Sequence, residues 1–369
     1  HGILHSFPTR RSSDLLAAWY ERAQRDLPWR RTRDPYAVLV SELMLQQTRV
    51  TTALPYYHRF LERFPTVQAL AAAGEEEVLA LWSGLGYYRR ARQLHAAARE
   101  IGENGFPATA AGLARLPGVG PYTAAAVASI AFGEPAAAID GNAVRVIARL
   151  LGWEEAVERA ASRRAIAAAA AALLDPAAPG RSNQALMELG ATLCRPAAPR
   201  CESCPLATSC AACQRGRTAE IPRRAPRPRS RRERRVVALV ERDGRVLLFR
   251  RAESERQLAG LWELPGVPGD PGAAGSALAA RYGGRFRLGP RLGSFRHAIT
   301  TRLLEIAVHR ATWEAEGVAE GPEAAWLRPD EARAWPLGAV ARKALALGAA
   351  PEVSRPGLRA GARRRRPRG

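Results

Sequence analysis

Apolar residues recur three and four apart from Leu15 to about Cys213, with Ala and Leu abundant. That period predicts helices throughout this stretch. Asp34-Pro35, Phe64-Pro65 and Gly105-Phe106-Pro107 punctuate it as turns. Asp34 followed by Pro35 is a strong helix start, because Asp caps free N–H groups and Pro suits the first helical position. Over 214–235 Pro and Arg alternate with few apolar residues, which predicts an extended basic linker. From Val236 the period changes to two. Val236–Val240 and Val246–Phe249 flank Asp243-Gly244, a hairpin signal. Arg302–His309 reads as a strand and Ala339–Leu347 as a helix. The pattern therefore divides the chain into a helical region, 15–213, and an α/β domain, 236–349.

The two ends read differently. Ser6–Leu15 spells SFPTRRSSDL, which resembles the translation of a sequencing-adapter oligonucleotide, so 1–14 is expected to be non-native and is set aside. The tail 350–369, with its run Arg363–Arg366, is expected to be disordered. No apolar run is long enough for a membrane span and no secretory signal is recognised, so a cytoplasmic, nucleoid-associated monomer is expected. The 369 residues carry a net charge of +21, and Lys343 is the only lysine. A basic excess of this size points to a polyanion partner, and Arg is the side chain that grips phosphate through two parallel bonds.

Cys194, Cys201, Cys204 and Cys210 follow the spacing C-x6-C-x2-C-x5-C, and Cys213 is left over. Four thiolates in one loop suit tetrahedral zinc or a [4Fe–4S] cluster, and spacing alone does not choose. Upstream, Leu116-Pro117-Gly118-Val119-Gly120 precedes the helical run Pro121–Phe132. Gly118 and Gly120 let the backbone approach a ligand, and the helix start offers free N–H groups, which together make a phosphate site.

This hairpin resembles the helix–hairpin–helix signature of the endonuclease III superfamily of DNA glycosylases. The resemblance covers about Leu15–Leu347 and implies an all-α glycosylase fold, split by the chain into a six-helix domain and an iron–sulfur cluster domain. The cysteine spacing matches the superfamily's cluster loop, which favours [4Fe–4S] on Cys194, Cys201, Cys204 and Cys210. Members that cut the DNA strand carry a lysine where this chain has Tyr122, and the helical region holds none. Tyr cannot form the imine that lyase chemistry needs, so a monofunctional hydrolase is predicted.

Within Asp34–Thr48, Glu42 sits among Val38, Leu39, Val40, Leu43, Met44 and Leu45. By pattern alone the plainer reading is a solvent-facing Glu. Apolar surroundings would instead raise its pKa and suit a general acid. The run S-E-L-M-L-Q-Q-T resembles the signature of the adenine glycosylases, in which the Glu is the catalytic acid. The resemblance implies that Glu42 protonates a flipped-out adenine and that ionised Asp140 stabilises the sugar cation. Tyr122 and Asn142 would hold sugar, phosphate and water. It implies adenine contacts for Trp29, Arg30 and Glu188, a wedge beside the opposing guanine for Gln47 and Tyr87, and DNA contacts for Thr48 and Leu85. Arg195 and Arg200 are further phosphate-contact candidates.

Residues 236–349 resemble the Nudix-like domain of the same glycosylases, best at Gly260–Gly266. The Glu-rich metal helix of a Nudix hydrolase is missing from Val267–Ala280. The family's Phe-Ser-His loop, which tells 8-oxoguanine from guanine, corresponds to Phe295-Arg296-His297, with Arg in place of Ser. The implied partner is double-stranded DNA holding adenine opposite 8-oxoguanine or guanine. The alternatives are an endonuclease III-like glycosylase–lyase for oxidised pyrimidines, a non-catalytic damage binder and a nucleotide-hydrolysing Nudix enzyme.

Overall fold

The computed structural model describes residues 10–226, 230–252, 255, 258–299, 301–314, 324–333 and 335–349. His1–Thr9 and the basic tail 350–369 lie outside them. The chain forms two compact units, His1–Pro228 and Arg229–Gly369.

The first unit is helical, with α1 (Arg10–Ala23), α2 (Pro35–Leu45), α3 (Val50–Arg63), α4 (Val67–Ala72), α5 (Glu75–Trp82), α6 (Arg89–Asn104), α7 (Ala110–Leu113), α8 (Pro121–Ala131), α9 (Gly141–Leu151), α10 (Ala160–Ala172), α11 (Pro179–Thr192) and α12 (Ala211–Gln214). Asp34 starts α2 as its residue type dictates: its carboxylate accepts from the Tyr36 and Ala37 N–H groups. One core joins α1 to α9, α10, α11 and α12 through Leu16, Tyr20, Ile147, Ile166, Leu189 and Ala212. Helices α2–α8 pack among themselves, with α2 against α8 and α8 against α11. The polypeptide thus enters one lobe, builds the other, and returns to the first.

Two sequence-based boundaries differ. Helix α1 begins at Arg10, inside the segment set aside as non-native, and the Ser13 hydroxyl donates to the Leu173 carbonyl at 2.9 Å. The first half of the presumed linker packs on the first unit. Ile221 is buried in the α1–α9 core, and the Val157 N–H donates to the Arg223 carbonyl. A Pro- and Arg-rich segment can dock this way because Ile221 supplies an apolar anchor and its carbonyl accepts from buried Arg149 Nε at 2.8 Å.

The second unit is a mixed sheet: β1 (Arg231–Arg242), β2 (Arg245–Arg250), β3 (Trp262–Glu263), β4 (Gly266–Pro268), β5 (Arg285–Ile299), β6 (Arg302–Glu314) and β7 (Ala324–Leu327), with α13 (Pro271–Tyr282) and α14 (Ala339–Gly348). The order is β3-β2-β1-β6-β5, with β4 paired to β1 and β7 to β2. Arg242 faces Arg245 across the predicted hairpin, where Asp243 and Gly244 both take positive φ. Strand β1 starts five residues before Val236, because Arg231–Arg235 pair in parallel with β6. Its apolar run is buried on both faces. Val236, Ala238 and Val240 meet the α13 side, and Val237 and Leu239 meet the α14 side.

Candidate active site and cysteine loop

A cavity of about 610 Å³ opens between the two lobes of the first unit, within the usual range of small-molecule sites. Its wall includes Glu42 from α2, Tyr122 from α8, Asp140 and Asn142 at the start of α9, and Glu188 from α11. Trp29, Arg30, Gln47 and Thr48 also line it. Nine residues separated in sequence by up to 159 positions are thus brought together.

Glu42 is buried because nearly the whole of α2, Tyr36 to Met44, is buried. The solvent-facing reading of its pattern therefore does not hold. Burial drives its pKa up to about 7, partly opposed by the Tyr122 hydroxyl, which donates to Glu42 Oε2 at 2.7 Å. That hydroxyl is itself held protonated, its pKa raised by burial and then by the carboxylates Glu42 and Asp140. The Met187 sulfur lies 3.1 Å from it.

Asp140 caps α9, accepting from the Ala143 N–H at 2.7 Å and from the Asn142 amide at 2.7 Å. Burial raises its pKa, and these two donors counter the rise. Both donors favour the carboxylate form. Asn142 is fixed in turn by Arg145, whose Nη2 donates to Asn142 Oδ1 at 2.8 Å. Gly190 makes room for this arrangement, since a Cβ there would stand 2.5 Å from Asn142 Cβ.

Glu188 lines the same cavity. It is fully buried, and both carboxylate oxygens are taken: Arg25 Nε donates at 2.7 Å and Arg30 Nη2 at 2.6 Å. The two guanidinium groups outweigh the cost of burial and depress its pKa to about 2. Glu188 therefore orients Arg25 and Arg30 at the cavity wall. Trp29 is buried edge-on against Tyr57, with ring centroids 5.2 Å apart.

Leu85, Tyr87, Gly118 and Gly120 lie outside the cavity wall. Tyr87 is 54% exposed and Gln47 is exposed, and both non-glycine residues hold positive φ, at 50° and 56°. Gly118 has φ 76°, and a Cβ there would meet Gln93 Cβ of α6 at 2.4 Å, so only glycine fits. Gly120 precedes α8 with no side-chain cap and with open space beside it, leaving the helix start accessible.

The cysteine loop lies against the α1–α9 core, where Cys194, Cys204 and Cys210 pack. All five cysteines are half-buried free thiols. Burial and neighbouring thiols push Cys201 up to about 11, with Cys213 hydrogen-bonded to it. Among the described residues no group of three or more His, Cys, Asp or Glu side chains is arranged to hold a metal ion. Two buried arginines of α9 fasten the loop. Arg145 Nε donates to the Cys194 carbonyl at 2.7 Å, and Arg149 reaches the Arg195 carbonyl at 2.8 Å and Cys194 Sγ at 3.3 Å. Arg195 and Arg200 are exposed.

In the second unit the Phe295-Arg296-His297 triad lies on strand β5, whereas a loop was expected. Its partners are Ile306, Glu305 and Leu304 of β6. Strand alternation turns Phe295 and His297 to one face and Arg296 to the other. Lys343 stands 5.5 Å from the Phe295 ring centroid, and Arg296 Nε is 3.6 Å from Glu305. Burial lowers the His297 pKa, with Lys343 adding to the effect.

Sequence reasoning missed Arg25, Arg90, Arg145 and Arg149. The last pair carried a signal: Arg145 and Arg149 fall four apart among the buried positions of α9.

Residues 40–170 match the family model described as HhH-GPD superfamily base excision DNA repair protein, and residues 235–347 match the NUDIX domain. Fold and site together define a helix–hairpin–helix base-excision repair protein with a Nudix domain. The chain is 33% identical over 329 residues to the adenine DNA glycosylase of Schizosaccharomyces pombe, covering 72% of this chain and 71% of that one. It belongs to the adenine DNA glycosylase family. With the Homo sapiens adenine DNA glycosylase it shares 38% identity over 313 residues, 69% of this chain and 57% of the human one, so the match spans less than two thirds of that relative. A thermostable thymine-DNA glycosylase of known structure superposes with a TM-score of 0.50 at 29% identity, covering 55% of this chain and 95% of that one.

Proposed function

We propose that this chain hydrolyses the N-glycosidic bond of adenine mispaired with 8-oxoguanine or guanine in double-stranded DNA, as a monofunctional glycosylase of base-excision repair. The observation that carries this reading is the pairing of buried Glu42 with Tyr122 in a cavity that Asp140 also lines. A carboxyl with a pKa near 7 holds a proton at neutral pH and releases it readily, which is what a general acid needs. The flipped adenine takes that proton at N7, its bond to the sugar breaks, and a cation develops at C1′. Asp140 is fixed by the Ala143 N–H and the Asn142 amide, so it faces the cation without rearranging. Tyr122 and Asn142 position sugar, phosphate and water. Trp29 and Arg30 contact the adenine, with Arg30 aimed by Glu188.

Gln47 and Tyr87 wedge beside the opposing guanine, Thr48 and Leu85 support them, and Gly118 and Gly120 bring the backbone to a phosphate. In the second unit, Phe295 and His297 meet the guanine strand from one face of β5. Arg296, on the other face, is left for phosphate. The working boundaries are 10–225 for the glycosylase and 231–349 for recognition. The protein acts as a monomer on nucleoid DNA; among the described residues no helix is long and apolar enough to cross a membrane.

The donor set of the loop fits a [4Fe–4S] cluster: the thiols of Cys194, Cys201, Cys204 and Cys210 feel one another electrostatically, and Arg145 and Arg149 tie the Cys194 end of the loop to α9. Cys194, Cys201, Cys204 and Cys210 would hold it, and when bound it supplies a cross-link that shapes a DNA-facing loop.

Single-turnover cleavage of duplexes with adenine opposite 8-oxoguanine, guanine or thymine, with alkali added to reveal abasic sites, tests the reading. Excision from the first two, none opposite thymine, loss of activity in Glu42→Gln and no borohydride-trapped adduct are expected. An adduct, or full activity in Glu42→Gln, would overturn it.

A further inference from the structure

Gln47 and Tyr87 stand on separate loops, one after α2 and one before α6, and each holds a left-handed backbone conformation. Such a conformation is disfavoured for a non-glycine residue and persists only when its surroundings impose it. What joins the two loops is Arg90, buried in the first turn of α6. Its Nη1 donates to the carbonyls of Leu43 at 2.8 Å and Met44 at 3.0 Å, and also to that of Gln46. Its Nη2 reaches Thr48 Oγ1 and the Gly86 carbonyl, each at 3.2 Å, and the Leu85 carbonyl at 3.5 Å. The guanidinium carbon lies 5.5 Å from the ring centroids of both Trp82 and Tyr87. One cation thus closes the C-terminal carbonyls of α2, fixes the residues on either side of Gln47, and holds the two residues before Tyr87 together with the Tyr87 ring.

We infer that Arg90 is a positioning residue that binds the Gln47 and Tyr87 loops into one rigid wedge, so that its contribution falls on extruding a stacked adenine rather than on breaking the glycosidic bond. The inference rests on the glycosylase reading above. A lysine would keep the charge but lose the planar fork that serves both loops at once. Arg90 touches none of Glu42, Tyr122 or Asp140, so the chemistry itself should be indifferent to the change.

The experiment compares wild type with Arg90→Lys in single turnover on two substrates. In one, adenine is paired with 8-oxoguanine in a duplex carrying 2-aminopurine beside it, whose fluorescence reports unstacking. In the other, adenine lies in a small unpaired bubble. Arg90→Lys should slow excision from the duplex by at least about tenfold, with the fluorescence rise reduced in step, while the bubble substrate is cut nearly as fast as by wild type and the pH midpoint stays put. Adding Arg90→Lys to Tyr87→Ala should cost little more on the duplex, since both act through one wedge. Should Arg90→Lys fail to fold, Trp82→Phe, which removes the Nε1–H bond at 3.2 Å to the Gly86 carbonyl that Arg90 also serves, must show the same preference for the bubble in milder form. Equal losses on both substrates, or no loss on the duplex, overturn the inference. Failure of wild type to cut either substrate overturns the glycosylase reading, and the inference falls with it.

Discussion

Replacing Tyr122 by Phe deletes one hydrogen bond and leaves the ring, so it isolates what the hydroxyl does to Glu42. The bond, 2.7 Å to Glu42 Oε2, stabilises the carboxylate and so lowers a pKa that burial has raised to about 7. A hydrogen bond to a charged acceptor is worth about 1.5–3 kcal/mol, or roughly one to two pKa units. Its loss should therefore move Glu42 further upward. Catalysis needs the protonated acid, so the wild-type rate should fall tenfold per pH unit above about 7, and the variant should hold its plateau to higher pH. The plateau itself should drop, because in the proposed mechanism the hydroxyl also positions the sugar. Single-turnover rates from about pH 5 to about pH 10 separate the two effects. A descending limb that stays in place or moves to lower pH would refute the argument that Glu42 is the acid and that this bond tunes it.

The same residue sets a stability prediction. The folded pKa of Glu42 lies above its ordinary value of 4.5, so its contribution is fully present below 4.5 and is lost as pH rises to about 7. Glu42→Gln removes this penalty and should gain about 3 kcal/mol over wild type between pH 4.5 and pH 8 in urea unfolding; a constant difference would contradict the burial argument. Gly118→Ala combines positive φ with a 2.4 Å clash on Gln93 and should cost about 1–3 kcal/mol in thermal unfolding while weakening duplex binding in fluorescence anisotropy. In iron analysis and visible absorption, Cys204→Ser should lose the cluster and Cys213→Ser should keep it; loss in both would make Cys213 a ligand.

What was legible in the sequence was local. Asp34-Pro35 and Asp243-Gly244 specify their own backbone, and Tyr122 in place of lysine is a statement about chemistry that no packing can alter. Helix α2 misled because a helix apolar on nearly every side has no polar face to predict, and only the surrounding helices decide that Glu42 is inside. The larger omission concerned arginine. In a chain of net charge +21 every Arg invites a phosphate, yet Arg90, Arg145 and Arg149 are spent inside on backbone carbonyls. Most of those acceptors lie far away in sequence, so spacing marks Arg145 and Arg149 but not what they hold. The docking of Ile221 and the parallel pairing of β1 with β6 were hidden for the same reason. The Phe295 triad was placed in a loop because its motif, not its alternation, was read.

Arg145 touches the Asn142 side chain with one nitrogen and the Cys194 carbonyl with another. A guanidinium so enclosed has no solvent to fall back on if either neighbour is removed. A shortened enzyme designed without the cysteine segment could not simply delete it, since the truncation would strand cations at 145 and 149. Both positions would have to be redesigned together, as an apolar pair or with new acceptors, before the catalytic layer could stand alone.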